Sequence, residues 1–375
     1  MSTENDTPSF DGLPENEEID DDNGSNWIDL EPIEPHEAVE MFIDAMKDEH
    51  AEATRKTERT RLGAFVQFCD HEHIDNLNDL NGRDLYKFRI WRREGHGDDR
   101  GPVKAVTLKG ELATLRRFLR FCSNIDAVPI EMYEQVTLPT MKNGEDVSDS
   151  TLSPERAIQI ISYLEHAHPA SRDHITLQLL WETGARTGAI RGLDPDDLDL
   201  DGSHPRFSGP AVHFVHRPEQ GTALKNQQKG TRWNRISEKT ARYIEDYTEY
   251  HRHDVTNDYG RDPLITTEYG RQVGNTFRRT LYRVTRPCWR GEECPHDRNL
   301  DECEATHLDK ASKCPSARSP HDVRSGKVTY YRREDVPRQV VEERLNASED
   351  ILDRHYDRRT DREQADQRSN YPPDV

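Results

Sequence analysis

The chain has 375 residues, more than one compact core usually holds, and its 33% charged against 32% hydrophobic content points to two lean domains with polar tails. No run of about 18 apolar residues and no basic-then-apolar leader is present, which argues against membrane spans and secretion and for a cytoplasmic location. A formal net charge of −20 argues against simple charge-driven adhesion to a polyanion, where phosphate neutralisation normally supplies much of the affinity.

The location of the charge matters more than its sum. Residues 1–34 hold Glu15, Glu17, Glu18, Asp20, Asp21 and Asp22 and no Lys or Arg, the composition of an acidic disordered tail. Elsewhere Arg outnumbers Lys by roughly three to one amid abundant carboxylates, a balance suited to solubility in concentrated salt. A halophilic source is expected, where counterion release contributes little and any DNA contact must rest on specific geometry.

Residues 35–130 read as all helix. Ala38, Met41, Phe42, Ala45 and Met46 follow the three-and-four spacing of an amphipathic helix, as do Leu62, Phe65, Val66 and Cys69. Leu108, Leu112, Leu115, Leu119 and Cys122 repeat the pattern, and Asp84 to Arg93 forms an aromatic-rich helix between them. Arg55, Lys56, Arg59 and Arg61 on one helix, and Arg116, Arg117 and Arg120 on another, line faces where phosphates could sit, although for each row alone a solvated charged face is the better reading. A polar connector with Pro139 and Gly144 spans 131–152. Ser153 and Pro154 then look like a helix cap and its first residue. Helices are expected over 154–167 and 172–183, short strands within 198–236, and helices from 238 onward. Val212, Phe214 and Val215 near Arg232 to Ile236 suggest a small antiparallel sheet with a polar turn through Lys225 to Gly230.

Four segments carry chemistry. "WETGARTGAIRGLDPDDLDL" puts Arg186 just after a glycine turn, and "TALKNQQKGTRWNRIS" presents Lys225 beside a strand. "SPHDVRSG" sets His321 and Arg324 three residues apart, hence on one helical face. Ser319 and Pro320 would begin that helix and leave His321 in its first turn, where free N–H groups and the dipole favour a phosphate. "RLNASEDILDRHYDRRT" offers Tyr356 on a late helix. Singly, such residues are ordinary surface charges or packing aromatics.

In this order the four segments resemble the catalytic domain of the tyrosine recombinase, or phage integrase, family, and the helical segment before Pro139 resembles its core-binding domain. The acidic, arginine-rich composition suggests a haloarchaeal-type member. The resemblance implies a mainly α fold with a small antiparallel β-sheet. Its parts are an acidic tail (1–34), a helical core-binding, DNA-binding domain (35–130), a linker (131–152), a mixed α+β catalytic domain (153–365) with a Cys-rich insertion (286–316), and a C-terminal tail (366–375). Arg186 and Arg324 would grip the non-bridging oxygens of a phosphodiester. Lys225, with Lys229 as the lesser candidate, would protonate the departing 5′ oxygen, His321 would accept the tyrosine proton, and Tyr356 would form a 3′-phosphotyrosyl bond. No cofactor is implied for catalysis, neither metal nor nucleotide. The implied partner is double-stranded DNA, with a homo-tetramer on paired sites. Two positions depart from the family pattern: Ala189 stands where many members carry an acid, and Ala347 where many carry His or Trp. Asn346, Ser348 and His355 are the candidate replacements for the second.

Cys288, Cys294, Cys303 and Cys314 crowd the segment just upstream of His321, with His296 and His307 among them. In a cytosolic protein this density favours a structural zinc site through the four cysteines over disulfides. Cys69 and Cys122 fall on apolar faces and are expected in a core. The competing readings are a type IB topoisomerase, a catalytically weak DNA-binding regulator that retains the fold, and a zinc-dependent nuclease. Ala189 and Ala347 keep the regulator in play.

Overall fold

The computed structural model describes residues 30–95, 101–141, 150–205 and 208–355, together with 359, 362 and 365. Two compact units divide between residues 146 and 147. The acidic segment through residue 29 and Tyr356 lie outside the described residues.

The first unit consists of α1 (Pro35–Ala45), α2 (Glu52–Glu72), α3 (Gly82–Glu94) and α4 (Ala105–Asn124). Apolar spacing explains the assembly, since Leu108, Leu112, Leu115, Leu119 and Cys122 of α4 are all buried. They meet Leu62, Phe65 and Phe68 of α2 and Phe88 of α3 in one core. Phe65, Phe68, Phe88 and Phe118 pack edge to face, the arrangement that the ring quadrupole favours. A bidentate ion pair, Arg92 Nε and Nη2 to Glu111 at 2.7 and 3.0 Å, is buried beside them. Cys69 and Cys122 are wholly buried as expected, and burial pushes the Cys69 thiol up to about 12.

The second unit opens with α5 (Pro154–Ala167), α6 (Arg172–Thr183) and α7 (Thr187–Arg191). Ser153 caps α5 by accepting from the Arg156 amide at 3.3 Å, and Ile175 through Trp181 are buried around the whole circumference of α6, so that helix runs through the core. Strands β1 (Leu198–Asp199), β2 (Ala211–Phe214) and β3 (Arg232–Arg235) form an antiparallel sheet, with Val212 opposite Asn234 and Phe214 opposite Arg232. Then come α8 (Glu238–Tyr250), the hairpin β4 (Thr266–Thr267) and β5 (Gly270–Arg271), and α9 (Gly274–Val284). Three helices close the described part: α10 (Pro320–Arg333), α11 (Arg338–Leu345) and α12 (Glu349–His355). Ser319 and Asp322 make a reciprocal capping box at the start of α10. No helix among the described residues is long and apolar enough to cross a membrane.

The segment 286–316 gives the expected zinc site no support. Cys288, Cys294, Cys303 and Cys314 are free thiols, and no three His, Cys, Asp or Glu side chains converge to hold a metal among the described residues. The expected four-cysteine zinc site thus finds no ready-made ligand set among the described residues. Irregular spacing without a Cys-x-x-Cys pair gives no preformed half-site. The loop is instead stitched by guanidinium donors to main-chain carbonyls: Arg286 to Ala305, Arg298 to Lys313 at 3.4 Å, and Arg156 to Ser316 at 2.7 Å. His296 bonds Ser316 Oγ at 2.8 Å.

Candidate active site

The site is built on a corner between α11 and α12. Helix α11 ends at Asn346, whose φ of 50° is left-handed, a conformation that Asn tolerates better than most residues. The carbonyls of Leu345 and Asn346, freed at the helix end, are taken by two arginines from distant parts of the chain. Arg324 Nη2 donates to Leu345 O at 2.9 Å, and Arg186 Nη1 donates to Asn346 O at 2.8 Å. Arg324 Nη1 also reaches Gly184 O at 2.5 Å, so one guanidinium fork ties the turn before Arg186 to the corner. Gly184 is needed there: its φ is +60°, and a Cβ would come 2.7 Å from Leu345 Cδ2.

Arg324 is 2% exposed, whereas Arg186 is half-buried and lines a hollow of about 390 Å³ with Lys225, Arg232 and Asn346. Among the described residues no carboxylate lines this hollow. Lys225 is exposed on the long connection between β2 and β3, while Lys229 lines a neighbouring hollow with Trp233 and Val340. His321 is exposed in the first turn of α10, one turn before Arg324. Arg186, Arg324 and Lys225 are thus gathered around one corner. His321 stands one turn before Arg324 on the same helix, and Tyr356 lies outside the described residues.

Arg232 is the functional candidate that motif reading passed over. It opens β3, donates from Nε to Arg344 O at 3.0 Å and from Nη1 to Gly230 O at 2.9 Å, and lies 4.7 Å over the Phe214 ring. Burial, then the nearby Arg324 and Arg186, push its pKa down to about 10. Three guanidiniums close enough to repel, with main-chain oxygens as their partners across the corner, are preorganised for an anion. A cation at a strand start just after the lysine turn was the available signal.

The departures from the family pattern now have a setting. Ala189 is buried on α7, and Arg186 takes its support from the Asn346 carbonyl. Ala347 is buried in a small core with Val328, Tyr331, Val341, Leu345 and Leu352. Of its candidate replacements, Asn346 spends its Nδ2 on Lys229 O at 2.8 Å, and Ser348 is exposed. In the first unit several of the expected phosphate-facing cations are already engaged. Arg59 pairs with Glu40 at 2.7 Å and Arg117 with Glu58 at 2.6 Å. Arg116 donates to the Val136 carbonyl, and Arg120 lies over Tyr133.

A helical unit followed by a mainly helical unit with a small antiparallel sheet is an integrase-type fold. It superposes on the Tn1549 transposon integrase in complex with transposon right end DNA with a TM-score of 0.58, over 90% of this chain and 99% of that one at 12% identity. For a lambda integrase dimer bound to a COC′ core site the score is 0.56, over 86% and 76% of the two chains, again at 12% identity. No protein-family model matches the sequence. Tyrosine recombinase XerC of Roseiflexus sp. (strain RS-1) is 26% identical over 192 residues, 50% of this chain and 58% of that protein. The protein of the same name from Staphylococcus aureus (strain MRSA252) is 25% identical over 163 residues, 43% and 52% of the two chains. The chain spans about half the length of these curated relatives. In sequence it is similar to tyrosine recombinases, and in fold to phage and transposon integrases.

Proposed function

We propose that the chain is a site-specific DNA recombinase that breaks and rejoins strands through a covalent 3′-phosphotyrosyl intermediate. The observation that carries this reading is the hollow, lined by no carboxylate among the described residues, where Arg186, Lys225 and Arg232 meet beside the Arg324-bound corner. A phosphodiester attacked by an oxygen nucleophile gathers negative charge on its non-bridging oxygens, and paired guanidinium forks stabilise that charge without a metal.

In this reading Tyr356 Oη attacks phosphorus, and its proton passes to His321. The bond to the 5′ oxygen breaks as Lys225 donates a proton to it, because an alkoxide is a poor leaving group. Rejoining reverses each transfer: the 5′ hydroxyl attacks, Lys225 recovers its proton, and Tyr356 leaves protonated. The phosphotyrosyl bond conserves the energy of the broken strand, so no nucleotide is consumed. Lys225 is favoured over Lys229 because it shares a hollow with Arg186. Exchange between two duplexes would place four copies on paired sites; one solved relative is a lambda integrase tetramer bound to a Holliday junction. The acid-rich composition suits a cytoplasm rich in salt, where this geometry rather than net charge would hold DNA.

The test uses nicked duplexes tiling the DNA on either side of the chain's own gene, incubated in high salt. The expected result is a covalent protein–DNA adduct that Tyr356→Phe does not form. Absence of adduct across the whole tiling overturns the reading, and an adduct that persists in Tyr356→Phe moves the nucleophile elsewhere.

A further inference from the structure

The geometry points to the side chain of Asn346 as the positioning group for the lysine turn, holding residues 225–230 against the arginine corner so that Lys225 borders the hollow lined by Arg186. This inference rests on the strand-transfer reading and on Lys225 as its acid.

Residues 225–229 are all exposed, so no apolar side chain within the turn anchors it to a core. Buried anchors appear only at its margins, Leu224 before it and Gly230 after it. Backbone bonds from Gln227 N to Leu224 O at 2.9 Å and from Thr231 N to Gln228 O at 3.1 Å shape the turn internally, with Gln227 at a φ of +49° that non-glycine residues adopt at a cost, but they do not reach the arginine corner. What ties the turn to the corner is the Asn346 side-chain amide. Asn346 Oδ1 accepts from Asn226 Nδ2 at 2.6 Å, and Asn346 Nδ2 donates to Lys229 O at 2.8 Å. Asn226 Nδ2 also reaches Asn346 O at 3.2 Å, the oxygen that accepts from Arg186. The residue next to Lys225 is therefore bonded to the same carbonyl as the catalytic arginine candidate.

The residue type follows from these demands. The position needs a left-handed backbone, an acceptor for Asn226 and a donor for the Lys229 carbonyl, and an asparagine side chain supplies both hydrogen-bonding functions. Glycine would keep the left-handed corner and the carbonyl that holds Arg186 while deleting both side-chain bonds. The two roles of residue 346 are thus separable by substitution.

The experiment compares single-turnover adduct formation by the full chain on two nicked duplexes, one with oxygen and one with sulfur at the 5′ bridging position. A thiolate leaves without needing a proton, so a defect in placing the general acid shows on oxygen alone. Asn346→Gly is expected to slow the oxygen substrate on the order of ten-fold or more, part of the 10²–10⁴ that a positioned acid contributes, while the sulfur substrate reacts at close to the parent rate. Asn226→Ala should do the same, with little further loss in the double variant; should Asn346→Gly fail to fold, Asn226→Ala carries the measurement. Equal slowing on both substrates, or none on either, overturns the inference. A parent protein that forms no adduct on either substrate overturns the strand-transfer reading and this inference with it.

Discussion

Replacing Arg324 by lysine keeps the charge and removes the fork. The guanidinium is 2% exposed and spans Gly184 O and Leu345 O at 2.5 and 2.9 Å. A compact ammonium on a shorter reach satisfies one of these carbonyls and leaves the other buried and unpaired, at about 1–3 kcal/mol, together with a lost charge-assisted bond of about 1.5–3 kcal/mol. Partial relaxation brings the sum to about 2–4 kcal/mol, which for a unit of this size lowers the melting midpoint by roughly 5–15 °C. Catalysis should suffer separately, because the corner that loses Arg324 also holds Arg186 through the next carbonyl. Loss of one preorganised donor costs on the order of 10²–10³ in rate, so the adduct should form at least that much more slowly in Arg324→Lys. Thermal melts in high salt give the first quantity. Single-turnover cleavage, run well below the midpoint of the variant so that unfolding does not contribute, gives the second. A variant that melts with the parent and cleaves at the parent rate would refute the argument that this fork joins the two halves of the site.

Lys327 sits within 4.5–5.2 Å of the Trp181, Tyr330 and Tyr331 ring centroids, and burial, then Arg344, push its pKa down to about 8 from 10.5. The unfolded chain then binds more protons than the folded one between those values, so stability rises with pH across about 8 to 10.5 and the burial cost is fully present below 8. The ring faces offset part of that cost, which leaves Lys327→Met more stable at pH 7 by about 1–2 kcal/mol and without the alkaline rise. Urea titrations at pH 7, 9 and 10 check both, and a less stable variant that keeps the rise contradicts them. For the cysteines, Cys288, Cys294 and Cys303 are partly exposed, whereas Cys69 and Cys122 are fully buried. An aromatic disulfide reagent should label the first group in the native protein and the second on unfolding, and a chelator should leave the melting midpoint unchanged. Stoichiometric zinc in the purified protein, or a midpoint that falls on chelation, would restore a metal to the loop.

The sequence by itself determined what is local. Leu108, Leu112, Leu115 and Leu119 declare α4 by spacing alone, and Ser153 and Ser319 mark helix starts because a capping oxygen reaches an amide within one turn. The order of Arg186, Lys225, His321, Arg324 and Tyr356 was legible because each motif has its own short context. Partnership across the chain was not. Arg186 and its acceptor on Asn346 are 160 residues apart, and the opening of β3 by Arg232 gives no hint that Arg324 and Arg186 are its neighbours. The row Arg116, Arg117 and Arg120 looks alike in sequence, yet one is paired with Glu58, one bonded to a carbonyl and one stacked on Tyr133. The crowding of cysteines suggested a metal, yet among the described residues no three such side chains converge to hold one. A guanidinium or thiol becomes a ligand, a staple or a solvated group according to which donors and acceptors surround it, and that environment is set only when distant segments pack.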